Sequence, residues 1–299
     1  MNKKPIAAVV IGFIVLVVVI VALSAGASLF LGEAPVVSSD KVALVRVEGV
    51  ILDSKGVIDQ LKKYSKNPSV KAIVLRIDSP GGGVVPSQEI YEEVRKLKSI
   101  DRKIVIVTSM GSVAASGGYY IASATDKIVA NPGTLTGSIG VIMEFASVEE
   151  LLSKIGVKSE VIKAGARKDV GNFARSMTAD ERDYLQKVID DVHDQFVEAV
   201  SAGRKMSKED IWPLADGSVY TGRQAKELGL VDLLGDQEDA VKLAGKLGGI
   251  QGEPKVIEEE KEYSVWDLLK GKDVSSLLKG FMPKSMQSLM YLYAAPSVR

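Results

Sequence analysis

The 299-residue sequence has no cysteine and a single histidine, His193. Disulfides, thiolate nucleophiles and cysteine-ligated zinc or iron-sulfur centres are therefore excluded, and one imidazole leaves little for any other metal site. An excess of charge of one sign is also lacking. The 38 Lys plus Arg balance 38 Asp plus Glu, so there is no basic surplus to neutralise a phosphate backbone, and nucleic acid is not an expected partner. Any chemistry is left to Ser, Thr, Lys, Tyr, Asp, Glu and Arg. The missing cysteines do not fix a compartment, because a thiol-free domain suits either side of a membrane.

The N-terminus speaks to compartment instead. From Pro5 to Leu31, 27 residues pass without a charge, dominated by Val, Ile, Ala and Leu. A bilayer span needs about 20 apolar residues, so residues 1–35 are expected to form a transmembrane anchor. The competing reading is a signal peptide cleaved after Ala25-Gly26-Ala27. The run is longer than the ~7 to 15 residues of a signal-peptide core, and it resumes with Leu29, Phe30 and Leu31. Lys3 and Lys4 hold the start of the chain in the cytoplasm, which predicts a single pass through the cell membrane with everything after Gly32 outside.

Beyond the anchor, short Val- and Ile-rich runs alternate with helical patterns. Strands are expected at 42–47, 72–77, 104–108, 127–129, 139–143 and 159–162, with helices at 57–65, 87–98, 116–124 and 148–155. Such alternation predicts an α/β domain with largely parallel strands over residues 36–250. Thr178 with Glu181 forms a capping-box pattern opening a long helix toward Gly203, and Thr221 with Gln224 opens another that stops near Gly229. Residues 251–299 read as an acidic linker followed by an amphipathic tail, apolar at Val265, Leu268, Leu269, Val274, Leu277, Leu278 and Phe281. That tail packs on its own domain, on a neighbour or on the membrane surface.

Two stretches could carry chemistry. Asp78-Ser79-Pro80-Gly81-Gly82-Gly83 follows a strand and precedes a helix, the position in an α/β sheet where ligands bind, yet it is neither a P-loop nor a dinucleotide fingerprint. Ser116, followed by Gly117 and Gly118, falls at a helix start. It reads either as a nucleophile whose adduct carries an oxyanion or as an ordinary N-cap serine. A serine nucleophile needs a base. His193 lies within the long helix beside its apolar stripe and reads as a helix-surface residue. The remaining common base is a lysine kept neutral by burial. Spacing alone does not select one, and Lys168 in Gly165-Ala166-Arg167-Lys168-Asp169 could equally be a solvated loop residue.

Four segments in order, 78–83, 110–120 (Met-Gly-Ser-Val-Ala-Ala-Ser-Gly-Gly-Tyr-Tyr), 135–140 (Leu-Thr-Gly-Ser-Ile-Gly) and 165–169, resemble the signal peptide peptidase A (protease IV) family. The resemblance spans about residues 40–245. It implies Ser116 as nucleophile, Lys168 as general base, Ser138 orienting the lysine, and backbone N–H groups of Gly83 and Gly117 as oxyanion donors. The implied fold is the ClpP/crotonase spiral of strand-strand-helix units, and the implied activity is a serine endopeptidase acting on cleaved signal peptides or similar apolar segments without a cofactor. Short single-repeat members are further expected to form a homo-oligomeric ring in which dyad residues of adjacent protomers approach each other. A proline usual in the family a few residues after the lysine is replaced here by Asn172-Phe173-Ala174-Arg175. A crotonase-like acyl-CoA enzyme and a non-catalytic membrane scaffold are the alternatives the same fold allows. Finally, the apolar run 289–293 ending in Ala294 and Ala295 resembles the end of a signal peptide; either it reaches a neighbouring protomer's groove as an added strand, or it is disordered or packs on its own domain.

Overall fold

The computed structural model describes residues 40–99, 104–259 and 290–292, together with Leu16, Val17 and Val19. The chain divides into two compact units, residues 1–40 and 41–299. In the first, Leu16, Val17 and Val19 are helical and exposed. Among the described residues no helix is long and apolar enough to cross a membrane. The rest of the expected anchor and the apolar positions 265–281 lie outside the described residues.

The second unit begins with β1 (Lys41–Glu48), α1 (Lys55–Lys66), β2 (Val70–Ser79), the short β3 (Gly81–Gly83), α2 (Val84–Ser99) and β4 (Val105–Ala115). It continues with α3 (Gly117–Ser123), β5 (Lys127–Ala130), β6 (Leu135–Gly137), α4 (Glu149–Lys154), α5 (Ala179–Arg204) and α6 (Lys208–Ile211). The remaining elements are β7 (Val219–Thr221), α7 (Gly222–Glu227), β8 (Leu233–Leu234), α8 (Gln237–Leu247), β9 (Lys255–Glu258) and β10 (Met290–Leu292).

The main sheet runs β7-β6-β4-β2-β1-β9, with β5 and β8 branching from β4. Its pairings are parallel except for β6 with β7. Strands β1 and β2 are apolar almost throughout because helices cover both faces of the sheet. The period-two alternation then divides their side chains. Val42, Leu44 and Val74 meet Ala240, Val241 and Ala244 of α8, whereas Ala43, Val45, Ile73 and Leu75 join the larger core with α1, α2, α3 and α5. Strand β4 forks the sheet. Its first half, Val107–Ser109, pairs with β5, and its second half, Val113–Ala115, pairs with β6. The hydroxyls of Thr134 and Thr136 reinforce the second branch by donating to the carbonyls of Gly111 and Ala114, each at 2.7 Å.

Three expectations are corrected. Strand β4 runs past its expected end at residue 108 as far as Ala115, because residues 113–115 find an edge to pair with in β6. The runs 139–143 and 159–162 are β-prone yet form no named strand: in the first, Ile139 O accepts a single bond from Gly217 N–H (3.1 Å) and Ile142 makes an isolated bridge, and in the second Ile162 is fully exposed. Within the stretch read as an acidic linker, Lys255–Glu258 is an edge strand on β1, fastened by Arg46, whose guanidinium donates to Glu258.

Candidate active site

The C-terminal ends of β2, β4 and β6 lie side by side, and most of the candidate residues sit there. Strand β2 leads into Ser79, which is fully buried and donates its hydroxyl to Gly49 O at 2.6 Å. The chain then runs alongside Ile51. Ile51 N–H donates to Gly81 O (2.9 Å) and Gly83 N–H donates to Ile51 O (2.8 Å). Only glycine fits in the middle, because a Cβ on Gly82 would stand 2.2 Å from Ile51 O. Strand alternation turns the amide and carbonyl of Gly82 to the opposite side, and there β10 lies. Met290, Tyr291 and Leu292 run antiparallel to Gly83, Gly82 and Gly81. The tail segment expected in a neighbouring protomer's groove thus pairs with the glycine strand of its own chain, which is the own-domain alternative, while Ala294 and Ala295 lie outside the described residues. Gly83, implied as an oxyanion donor, has its N–H committed to Ile51 in this arrangement.

Ser116 closes β4 and opens α3. Its N–H donates to Gly137 O and its carbonyl accepts from Tyr120 N–H, both at 2.8 Å. With φ 54° and ψ −118° it sits outside the regions an L-residue prefers. A capping serine has extended backbone and bonds the first turn through its side chain. Ser116 does neither, so the ordinary N-cap reading fails. A sharp, strained strand-to-helix turn that leaves a hydroxyl uncommitted is the geometry of a nucleophile elbow. Gly117 follows at the first helical position, where the amide has no acceptor within the helix. A Cβ on Gly118 would press Ser79 O and Ile77 at 3.2 Å, so glycine lets α3 approach the end of β2 closely.

Ser138 stands next to Ser116 across the β4–β6 ladder, one step beyond the Ala115–Gly137 pair. It too has positive φ (51°), and its N–H donates to Ser218 O at 2.8 Å. Ser138 lines a cavity with Gly140, Gln186, Asp190, Asp216 and His193. His193 is therefore not the helix-surface residue expected. Its ring packs edge-on against Trp212 at 5.1 Å, and its Nε2 is buried without a hydrogen-bond partner among the described residues.

Lys168 is placed differently. It is exposed, on an arm formed by residues 141–177, in a turn where its N–H donates to Gly165 O at 3.2 Å. No side-chain hydrogen bond joins it to Ser116 or Ser138 among the described residues. What the sequence reading missed is the ion-pair cluster under this turn. Arg175 donates to Asp169 Oδ2 (3.0 Å) and to both carboxylate oxygens of Glu181 (2.5 and 2.8 Å), and Lys163 also donates to Asp169. Hydrogen bonds from Arg175 first, then from Lys163, hold the Asp169 carboxyl down to about 2. Arg175, then the Thr178 N–H of the capping box, does the same for Glu181, also to about 2.

A crossover sheet that forks around one long strand, with a strained serine at the fork, fits a Clp-protease-like α/β fold. The family models agree. Clp protease matches residues 46–134, and Peptidase family S49 matches residues 98–251, about half of the chain. A putative protease of Synechocystis sp. is 47% identical over 212 residues, covering 70% of this chain and 75% of that protein. A putative signal peptide peptidase SppA of Enterococcus faecium is 39% identical over 217 residues, 68% of this chain and 62% of its own length. Protease 4 of Haemophilus influenzae is 36% identical over 217 residues, 70% of this chain and only 35% of its own. The chain belongs to peptidase family S49, the signal peptide peptidase A family of serine peptidases.

Proposed function

We propose that the protein is a membrane-anchored serine endopeptidase with a Ser116–Lys168 dyad, facing the cell exterior and degrading released signal peptides or similar apolar segments. The observation that carries this reading is β10 lying on Gly81–Gly83 beside the turn that holds Ser116. An edge that accepts one extended segment can accept another, and strand addition leaves alternate side chains free to enter pockets.

In this mechanism neutral Lys168 takes the Ser116 proton as Ser116 attacks the scissile carbonyl. Ser138 orients the amine. The Gly117 N–H stabilises the oxyanion, and Gly83 joins it by exchanging its bond to Ile51; one such donor is worth about 3 to 4 kcal/mol. The protonated lysine then gives its proton to the leaving amine, and water, activated by the same base, releases the acyl group. No metal or organic cofactor takes part. The family match sets aside the acyl-CoA alternative.

A single chain leaves the base exposed, along with Val157, Val161 and Ile162 of its arm. We read the arm as packing on a neighbouring protomer, so that a ring buries these residues and brings Lys168 to Ser116 across the interface. Mixing Ser116→Ala with Lys168→Ala protomers should then restore activity that neither has alone; no recovery after subunit exchange is confirmed would place both residues in one chain. A serine-directed phosphonate tests the function, with mass spectrometry expected to find the adduct on Ser116. An unlabelled, inactive chain would favour the scaffold reading. Protease added to intact cells tests the anchor. It should remove the domain and spare a short N-terminal fragment, whereas a soluble product starting at Ser28 would show cleavage after Ala27.

A further inference from the structure

Lys168 is the one cation of residues 163–175 without an acidic partner among the described residues. Both of its chain neighbours are tied to the first turn of α5. On one side Arg167 donates to Asp180 at 3.1 and 3.3 Å and lies over the Tyr184 ring, 4.6 Å from its centre. On the other, Asp169 is held through Arg175. Arg175 uses all five of its N–H donors: Nε reaches Asp169 Oδ2, Nη2 reaches Asp169 O (3.2 Å) and Glu181 Oε1, and Nη1 reaches Glu181 Oε2 and Ser176 O (3.1 Å). Glu181 is itself fixed, since it accepts from Thr178 N–H at 3.0 Å in the capping box of α5, and its side chain is only 8% exposed. The 26-residue helix thus anchors the turn on both sides of Lys168, through Arg167 on one and Arg175 on the other.

We propose that Arg175 is the positioning residue for the base. It bridges Asp169 to the start of α5, and this fixes the backbone on the C-terminal side of Lys168. The proposal rests on the reading of Lys168 as general base. The bridge has a second consequence. A carboxylate beside a lysine favours the charged amine, which cannot act as a base. Arg175 and Lys163 occupy Asp169, the carboxylate next to Lys168 in sequence, so that its hydrogen bonds go to them. Lysine at position 175 cannot substitute, because an ammonium lacks the planar fork needed to hold two carboxylates and a carbonyl together.

The test uses the full-length protein, with folding checked by circular dichroism and thermal midpoint. Arg175→Ala should lower kcat by about 100-fold, the scale of a small misplacement of a reacting group, while KM for a short peptide stays within about threefold. Arg175→Lys should recover little of that loss. The rate of Ser116 phosphonylation gives the readout that a merely structural role would not produce. It should fall on Arg175→Ala in the wild-type background and change no further when Lys168→Ala is already present. A wild-type kcat in Arg175→Ala, or an undiminished further fall in the Lys168→Ala background, would overturn the positioning role. Should Arg175→Ala not fold, Asp169→Asn, which keeps the Arg175–Glu181 pair, supports the same comparison. Full activity in Lys168→Ala would instead remove the base assignment beneath the proposal, whatever Arg175 does.

Discussion

Ser116 and Ser138 occupy the same step of neighbouring parallel strands, just past the Ala115–Gly137 pair, and both have positive φ. Among the described residues the only other non-glycine with positive φ is Lys205, a left-handed helix C-cap. Strain of this kind costs about 1 to 3 kcal/mol per residue and persists where surrounding structure imposes it. Here it is imposed on two adjacent serines at the fork of the sheet, where β4 leaves β5 for β6.

That strain is measurable. Ser116→Gly removes the Cβ that makes φ 54° and ψ −118° unfavourable, whereas Ser116→Ala keeps it. Both variants should be inactive, but the glycine variant should unfold at the higher temperature, by an amount corresponding to about 1 kcal/mol after the extra entropy of its unfolded chain. An alanine variant as stable as the glycine one would show that the turn stores no strain.

The β10–β3 pairing predicts competition at the site. Deleting residues 289–299 should raise turnover of a short peptide several-fold, since a tethered segment at roughly millimolar effective concentration keeps the glycine edge occupied even at weak affinity. Full-length protein should also slowly shorten at its C-terminus in a Ser116-dependent way. Unchanged kinetics on deletion, together with an intact mass after long incubation, would show that the strand does not obstruct substrate.

Asp169 and Glu181 set the acid response of the arm. Both carboxyls are lowered to about 2 in the folded protein, against ordinary values of 3.8 and 4.5. A depressed folded value means that the stabilisation is complete above the unfolded value and is lost as pH falls toward the folded one. The difference in thermal midpoint between wild type and Glu181→Gln should therefore be constant from pH 9 to about 5 and shrink between about 4.5 and 2. A difference that persists undiminished at pH 2 would mean that the carboxylate charge is not what Arg175 holds.

Much of this was legible in the chain. The capping boxes at Thr178 and Thr221 marked the starts of their helices to the residue, because the signal is local and both reciprocal bonds form. The apolar runs of β1 and β2 were equally plain, being buried on both faces. Segments whose state depends on distant partners were not legible. Residues 255–258 look like linker until β1 offers an edge, and 159–162 look like a strand although they pair with no edge among the described residues. At the candidate site, the motifs drew attention to Ser116, Ser138 and the glycine strand, which the fold places close together. The Gly83–Ile51 bond and the Asp169–Arg175–Glu181 bridge depend on how loops fold back, and no short-range pattern encodes that.

The most direct test of the account is kcat/KM for peptide hydrolysis in Ser116→Ala, Lys168→Ala and His193→Ala, each shown to be folded. The dyad predicts a loss of at least about 10³-fold in the first two and a change of no more than a few-fold in the third. His193 shares a cavity with Ser138, so the third variant is a real competitor and not a formality. Near wild-type activity in Lys168→Ala, with the loss falling on His193→Ala, would contradict the Ser116–Lys168 mechanism.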